Sequence, residues 1–143
     1  MAPRTSAGST PLRSLTSPSA FDAYVAAWNA GDLDVWLDVH APDAEYVTLA
    51  GPVPRTFAGH EGLREAWAEG RANWEVFRFQ VITRDGQGRQ GTGDETDVLE
   101  VGFRGIEQMQ GIEISGVLWF RVEERDGRIA RLWSAMDADA LPA

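Results

Sequence analysis

From Trp74 to Asp137 the chain reads as four long, half-apolar runs separated only by turn-forming residues, and nothing else in it constrains the fold as strongly. The runs cover about 74–84, 94–104, 112–123 and 128–137. Their linkers are rich in glycine or carry Asp126-Gly127, the chemistry of tight hairpins, so successive antiparallel strands are the natural connection. The first half has a different period. Ser19 and Asp22 form a capping-box pattern, after which Phe21, Tyr24, Val25 and Trp28 recur at helical spacing until Asn29-Ala30-Gly31 supplies a stop. Asp32 caps a second short helix bearing Leu33, Trp36 and Leu37, which Pro42-Asp43 ends. Residues 44–49 predict a strand and Gly51-Pro52-Val53-Pro54 a loop. Gly59-His60-Glu61-Gly62 then opens a third helix with Leu63, Ala66 and Trp67 inward. Helices first and one meandering sheet afterwards predict an α+β fold with the helices on one face.

At 143 residues the chain has the size of one domain. Residues 1–18 offer only Leu12 and Leu15 as large apolar groups and predict a mobile tail, which leaves 19–141 as the domain. The formal net charge of −9 argues against nucleic-acid partners, whose binding rests on Lys and Arg neutralising phosphates, and against an anionic membrane surface. There is no cysteine, no apolar run of the ~18 residues a membrane span needs and no apolar signal-peptide core, so a cytoplasmic location is expected.

Candidate chemistry gathers on the strands. Asp137 ends the last run among Trp133, Met136 and Leu141, and a carboxylate in apolar company either shifts its pKa upward or finds a donor. Ile129, Trp133 and Asp137 share strand parity. Asp97 shares parity with Leu99, Val101 and Phe103, which predicts an inward position; membership of an acidic hairpin rim with Asp94 and Glu95 is the alternative. Tyr46 and Thr48 share a face. Six tryptophans (Trp28, Trp36, Trp67, Trp74, Trp119 and Trp133) fit either a packed core or an apolar ligand cavity. Weaker signals remain. Gly86-Gln87-Gly88-Arg89-Gln90-Gly91 has dinucleotide-type glycine spacing but leads into a strand where a phosphate site needs a helix, so it predicts a hairpin loop. His40 and His60 with Asp43 and Glu45 offer a conceivable metal set, against plain helix-end roles. No metal or other cofactor is expected. Without cysteine or a nucleophile-elbow serine, covalent catalysis is not expected either.

Four stretches carry a resemblance: Trp28-Asn29-Ala30-Gly31-Asp32-Leu33-Asp34, Ala41-Pro42-Asp43-Ala44, Gly59-His60-Glu61-Gly62-Leu63-Arg64, and Asp126-Gly127-Arg128-Ile129 running on to Asp137. Together they resemble the nuclear transport factor 2-like (cystatin-like) fold, in its SnoaL-like and limonene-epoxide-hydrolase-like branches. The resemblance implies a cone-shaped, curved antiparallel sheet around a pocket closed by three N-terminal helices. It implies a small apolar organic substrate held by Trp28, Thr48, Trp74, Phe103, Trp119 and Trp133, with Asp137, Asp97 and Tyr46 as catalytic groups. It also implies a homodimer. Asp97 matches the carboxylate of an Arg-x-Asp motif whose arginine is replaced here by Glu95, so Arg78, Arg104, Arg121 or Arg131 would have to supply the cation for epoxide hydrolysis. The SnoaL-like cyclase pattern needs only an aspartate near the end of the last strand, where Asp137 stands. A cofactor-independent cyclase or isomerase of polyketide-type secondary metabolism is therefore expected first. Epoxide opening and a non-catalytic hydrophobic-ligand-binding module are the alternatives.

Overall fold

The computed structural model describes residues 19–85 and 94–142. The 1–18 segment and the Gly86–Gly91 run lie outside the described residues, as does the side chain of Glu95. Three α-helices precede or interrupt a six-stranded, curved and unclosed sheet: α1 (Ala20–Ala30), α2 (Leu33–Asp38), β1 (His40–Thr48), β2 (Arg55–Ala58), α3 (Gly59–Arg71), β3 (Trp74–Asp85), β4 (Asp94–Glu107), β5 (Glu113–Arg125) and β6 (Arg128–Ala135). A 3-10 turn, Ala138–Ala140, follows. The strand order is β2-β1-β6-β5-β4-β3.

Local chemistry sets the boundaries. Ser19 accepts from the Asp22 backbone N–H at 3.2 Å while Asp22 accepts from the Ser19 N–H at 3.0 Å, closing the capping box on α1. Asp32 caps α2 through the Val35 N–H. Asp126 and Gly127 have φ of 55° and 79°, the doubly left-handed pair of a two-residue hairpin, and they join β5 to β6.

Three expectations need correction. The sheet is not wholly antiparallel, because β1 runs parallel to β6. A chain that leaves β1 through one hairpin, a helix and three further hairpins returns beside it at the end, so only strands joined by a hairpin are forced antiparallel. Next, β1 starts at His40, inside what reads as a helix end; its pairing with β6 shifts between His40 and Glu45, and Pro42, which has no N–H to give, sits in that irregular stretch. Lastly, the stretch between the expected loop at 51–54 and the third helix, given no element from the sequence, forms the four-residue edge strand β2, too short to show a period.

The helices cover one face of the sheet. Phe21, Tyr24, Trp28, Trp36 and Leu63 bury against Leu99, Val101, Phe120, Val122, Ile129 and Leu132. Each such side chain contributes about 1.5–3 kcal/mol. Phe21 and Tyr24 stack at 5.0 Å, and Phe120 lies 5.1 Å from Phe21 and 5.8 Å from Phe79. Gly105 permits a close approach here: a Cβ on it would stand 2.5 Å from the Trp74 ring.

Candidate active site

A cavity of about 170 Å³ lies between the helices and the inner face of the sheet. Trp28 and Trp36 wall it from the helices, and Phe77, Phe79, Leu118 and Phe120 from the strands. Polar anchors hold the helical wall. The Trp28 Nε1–H donates to Phe77 O at 3.1 Å, and the Asn29 amide exchanges bonds of 2.9 and 2.8 Å with the Phe79 backbone. The Arg71 guanidinium lies over both Trp28 and Trp67, 4.9 and 4.7 Å from their ring centres, and donates to Trp28 O at 2.9 Å.

The polar lining consists of hydroxyls. Tyr46 Oη and Ser134 Oγ are 2.8 Å apart, Thr48 stands on the same strand face as Tyr46, and Tyr24 comes from α1. Burial raises the Tyr46 pKa, with the Ser134 and Thr48 hydroxyls offsetting part of the rise. Burial also raises Tyr24 well above its ordinary value; Tyr46 adds to the rise, while the Trp36 indole counters it. That indole N–H nevertheless lacks a partner of good hydrogen-bond geometry. Among the described residues, no carboxylate, amine or guanidinium lines this cavity.

Behind the wall sits His40, 1% exposed. Its Nδ1 is 2.8 Å from Trp36 O, which can only accept, so Nδ1 carries the proton and Nε2 keeps a lone pair. Nε2 is buried without a partner. Burial pushes the imidazole pKa down to about 4; the nearby His60 lowers it further, while the Trp36 carbonyl works in the opposite direction. The His60 Nε2–H donates to the His40 carbonyl oxygen at 3.2 Å. Asp43 pairs with Arg125 and Glu45 with Arg131, so the conceivable His40/His60 metal set does not assemble among the described residues.

Of the residues expected at the site, Tyr46, Thr48 and Trp28 line the cavity. Phe103 and Trp74 lie on the inner face but pack behind Phe77, at 5.8 and 4.9 Å, without lining it. Trp119 and Trp133 are placed on the opposite face. Trp119 pairs with Glu100, and the Arg121 guanidinium lies 4.9 Å over the Trp133 ring. The Trp133 displacement has a definite cause. Pairing of β5 with β6 shifts between Glu123 and Glu124, leaving Ala130 as the extra residue of a bulge. Ile129 and Leu132 therefore both face inward, and every parity beyond Ala130 inverts. Ser134 gains the inner position that Trp133 loses.

Asp97 does share the face of Leu99 and Val101, but beyond the end of the cavity. Its side chain, 16% exposed, lies 3.6 Å from Arg84, which also binds Asp22 at 2.6 Å and Ser19 Oγ at 2.8 Å. The cation beside Asp97 is thus Arg84 of β3, outside the four arginines expected. Asp137 is exposed rather than held in apolar surroundings. It falls past the end of β6 and caps the 3-10 turn, its Oδ1 accepting from the Asp139 N–H at 3.0 Å. The two carboxylates do not meet. Tyr24, Trp36 and Ser134 went unassigned in the sequence; helical spacing places the first two inward, whereas Ser134 is found only once the bulge is known.

Solved structures share this architecture. A protein of ketosteroid isomerase-like fold from Catenulispora acidiphila, in complex with trimethylamine, is 18% identical with a TM-score of 0.69, covering 87% of this chain and 98% of its own. IdmH, a candidate polyketide cyclase from Streptomyces antibioticus, is 24% identical at 0.65, covering 82% and 89%. The hexachlorocyclohexane dehydrochlorinase LinA-type3 from Novosphingobium barchaimii is 16% identical at 0.73, covering 89% and 90%. No curated protein matches in sequence. Among the described residues no helix is long and apolar enough to cross a membrane. The SnoaL-like domain matches residues 21–132, most of the chain, and the protein belongs to that family.

Proposed function

We propose that the chain is a cofactor-independent isomerase or cyclase that moves a proton on a small apolar organic molecule bearing an enolisable oxygen. The observation that carries this reading is the Tyr46–Ser134 hydroxyl pair, 2.8 Å apart in the wall of an apolar cavity. A hydrogen-bonded pair of neutral hydroxyls can accept a proton at one end and release another at the other. A substrate O–H gives its proton to Ser134 Oγ, the Ser134 proton passes to Tyr46 Oη, and the Tyr46 proton goes to the substrate carbon. The O–H bond breaks as the C–H bond forms, and no net charge develops on the protein. This suits a cavity that burial has made hostile to ions. Proton transfer of this kind supplies about 10²–10⁴-fold, and fixing the substrate against the aromatic wall adds to it. The fold neighbours, a candidate polyketide cyclase and a dehydrochlorinase, support a small-molecule-converting enzyme.

The test is Tyr46→Phe, which keeps the ring and removes the proton. Turnover of an enolisable ring ketone, read with deuterium incorporation from heavy water, should fall by orders of magnitude while binding persists. Unchanged exchange would end this reading. A hydrophobic-ligand-binding module is the second reading, favoured by the lack of any ionisable carboxylate in the cavity lining. Epoxide hydrolysis has less support, since the acid–cation–acid arrangement Asp22–Arg84–Asp97 lies outside the cavity. A homodimer through the outer face of β5 and β6, where Trp119 and Trp133 are half-buried in one chain, is part of the same proposal; sedimentation tests it.

A further inference from the structure

We infer that this cavity takes one neutral, hydroxylated six-membered ring, a phenol or its enol-type equivalent, and turns away both multi-ring and charged molecules. The inference rests on the reading of the cavity as the substrate site and adds the substrate class. Size comes first. The volume is about 170 Å³, and an engineered apolar cavity of about 150 Å³ is filled by benzene. Three or four fused rings exceed that volume, and the wall residues Trp28 and Phe120 are buried and bonded or packed on several sides.

Shape comes next. Most of the wall is flat and aromatic, and Ala50, Ala66 and Gly70 add almost no side chain to the rest of it. Gly70 packs directly against one of those walls: a Cβ there would stand 3.0 Å from Trp28 Cη2. Charge comes last. With no charged side chain in the lining, a carboxylate or ammonium would be stripped of water and given no counter-ion. A hydroxyl fares differently. Tyr46 and Ser134 hold two protons between them and spend one on each other, so the pair offers one proton and free lone pairs to a guest. A phenolic or enolic O–H donates and accepts at once, and it answers both.

Binding of phenol, toluene, benzoate and 9-anthrol, followed by tryptophan quenching and calorimetry on the wild-type chain and on Tyr46→Phe, tests this. Phenol should bind about tenfold or more tightly than toluene, because toluene leaves the hydroxyl pair unanswered. Benzoate and 9-anthrol should bind at least tenfold more weakly than phenol. Tyr46→Phe should shrink the phenol-to-toluene ratio to within about threefold while toluene affinity stays unchanged, which also shows that the variant folds. Equal affinity for toluene and phenol overturns the hydroxyl assignment, and 9-anthrol binding as tightly as phenol overturns the size limit. Tyr46-dependent exchange on a multi-ring ketone would sink the inference and leave the proposed function standing. Selective phenol binding with no exchange on any ketone would do the reverse.

Discussion

The cavity and the N-terminal end of α1 each hold an organised polar group, and the two are built on opposite principles. In the cavity, Tyr46 and Ser134 are neutral, uncharged neighbours set in aromatic walls. At the helix end, Asp22, Arg84 and Asp97 form an ion-pair cluster only partly withdrawn from water, with side chains 39%, 31% and 16% exposed. Ions in water are screened and interchangeable, so such a network contributes little and holds position rather than doing chemistry. Hydroxyls removed from water are few, fixed and costly to leave unmatched. The difference teaches that the charged cluster, which looks more like catalytic machinery, is the weaker candidate.

The largest expected effect breaks the comparison on the cavity side. Tyr46→Phe should lower turnover by about 10²–10³-fold, the loss seen when one preorganised donor is removed from a reacting oxygen, with KM changed only a few-fold. Steady-state kinetics on a single-ring enolisable substrate measures it. If Arg84→Met costs as much turnover as Tyr46→Phe, the two regions have been assigned the wrong way round.

A second effect probes how dry the interior is. The His40 pKa is about 4 in the folded chain against an ordinary 6.5. The unfolded chain therefore takes up a proton on acidification that the native chain refuses. The stability this neutral imidazole secures is complete above about pH 6.5 and drains as the pH falls toward 4. A shift of that size corresponds to about 3 kcal/mol. Urea unfolding at pH 7.5, 6.5, 5.5 and 4.5 should show the decline, and His40→Leu should remove that component of the slope. Equal slopes in the two proteins would mean that water reaches the imidazole.

The ionic region should respond mildly. Arg84→Met is expected to destabilise by about 1 kcal/mol, with the difference narrowing in high salt and turnover unaffected. Ser19→Ala, which opens the capping box, belongs on the same scale. Denaturant midpoints at low and high salt measure both.

How much of this was legible in the residues follows from which signals are local. The capping box at Ser19, the Asp126-Gly127 turn and the inward stripe of Phe21, Tyr24 and Trp28 depend on near neighbours, and each is where the sequence puts it. The inward faces of Tyr46 with Thr48 and of Asp97 with Leu99 are likewise period-two patterns within one strand. What failed was long-range or cumulative. The parallel β1–β6 pairing joins residues as far apart as His40 and Ile129, or Thr48 and Ser134, and no local residue encodes it. One bulge at Ala130 was enough to turn Trp133 outward and Ser134 inward. Arg84 meets Asp97 across a strand pair whose register cannot be counted through the Gly86–Gly91 stretch.

The smallest expected effect concerns the residue that the sequence favours most. Asp137 follows the same miscounted strand, so the parity that would bring it beside Ile129 and Trp133 does not hold past Ala130. Its carboxylate is exposed, and one oxygen is already spent on the Asp139 N–H at 3.0 Å. An amide oxygen can accept that same bond, so Asp137→Asn should leave the turn intact and turnover within about threefold of wild type. Asp137→Ala should loosen the turn by about 1 kcal/mol or less and do no more to kinetics. Run beside Tyr46→Phe on one substrate, the pair decides where the proton goes. A hundredfold loss in Asp137→Asn with Tyr46→Phe unharmed would take the reaction away from the hydroxyls and return it to the carboxylate. It would also require Asp137 to leave its cap and turn inward whenever the cavity is filled.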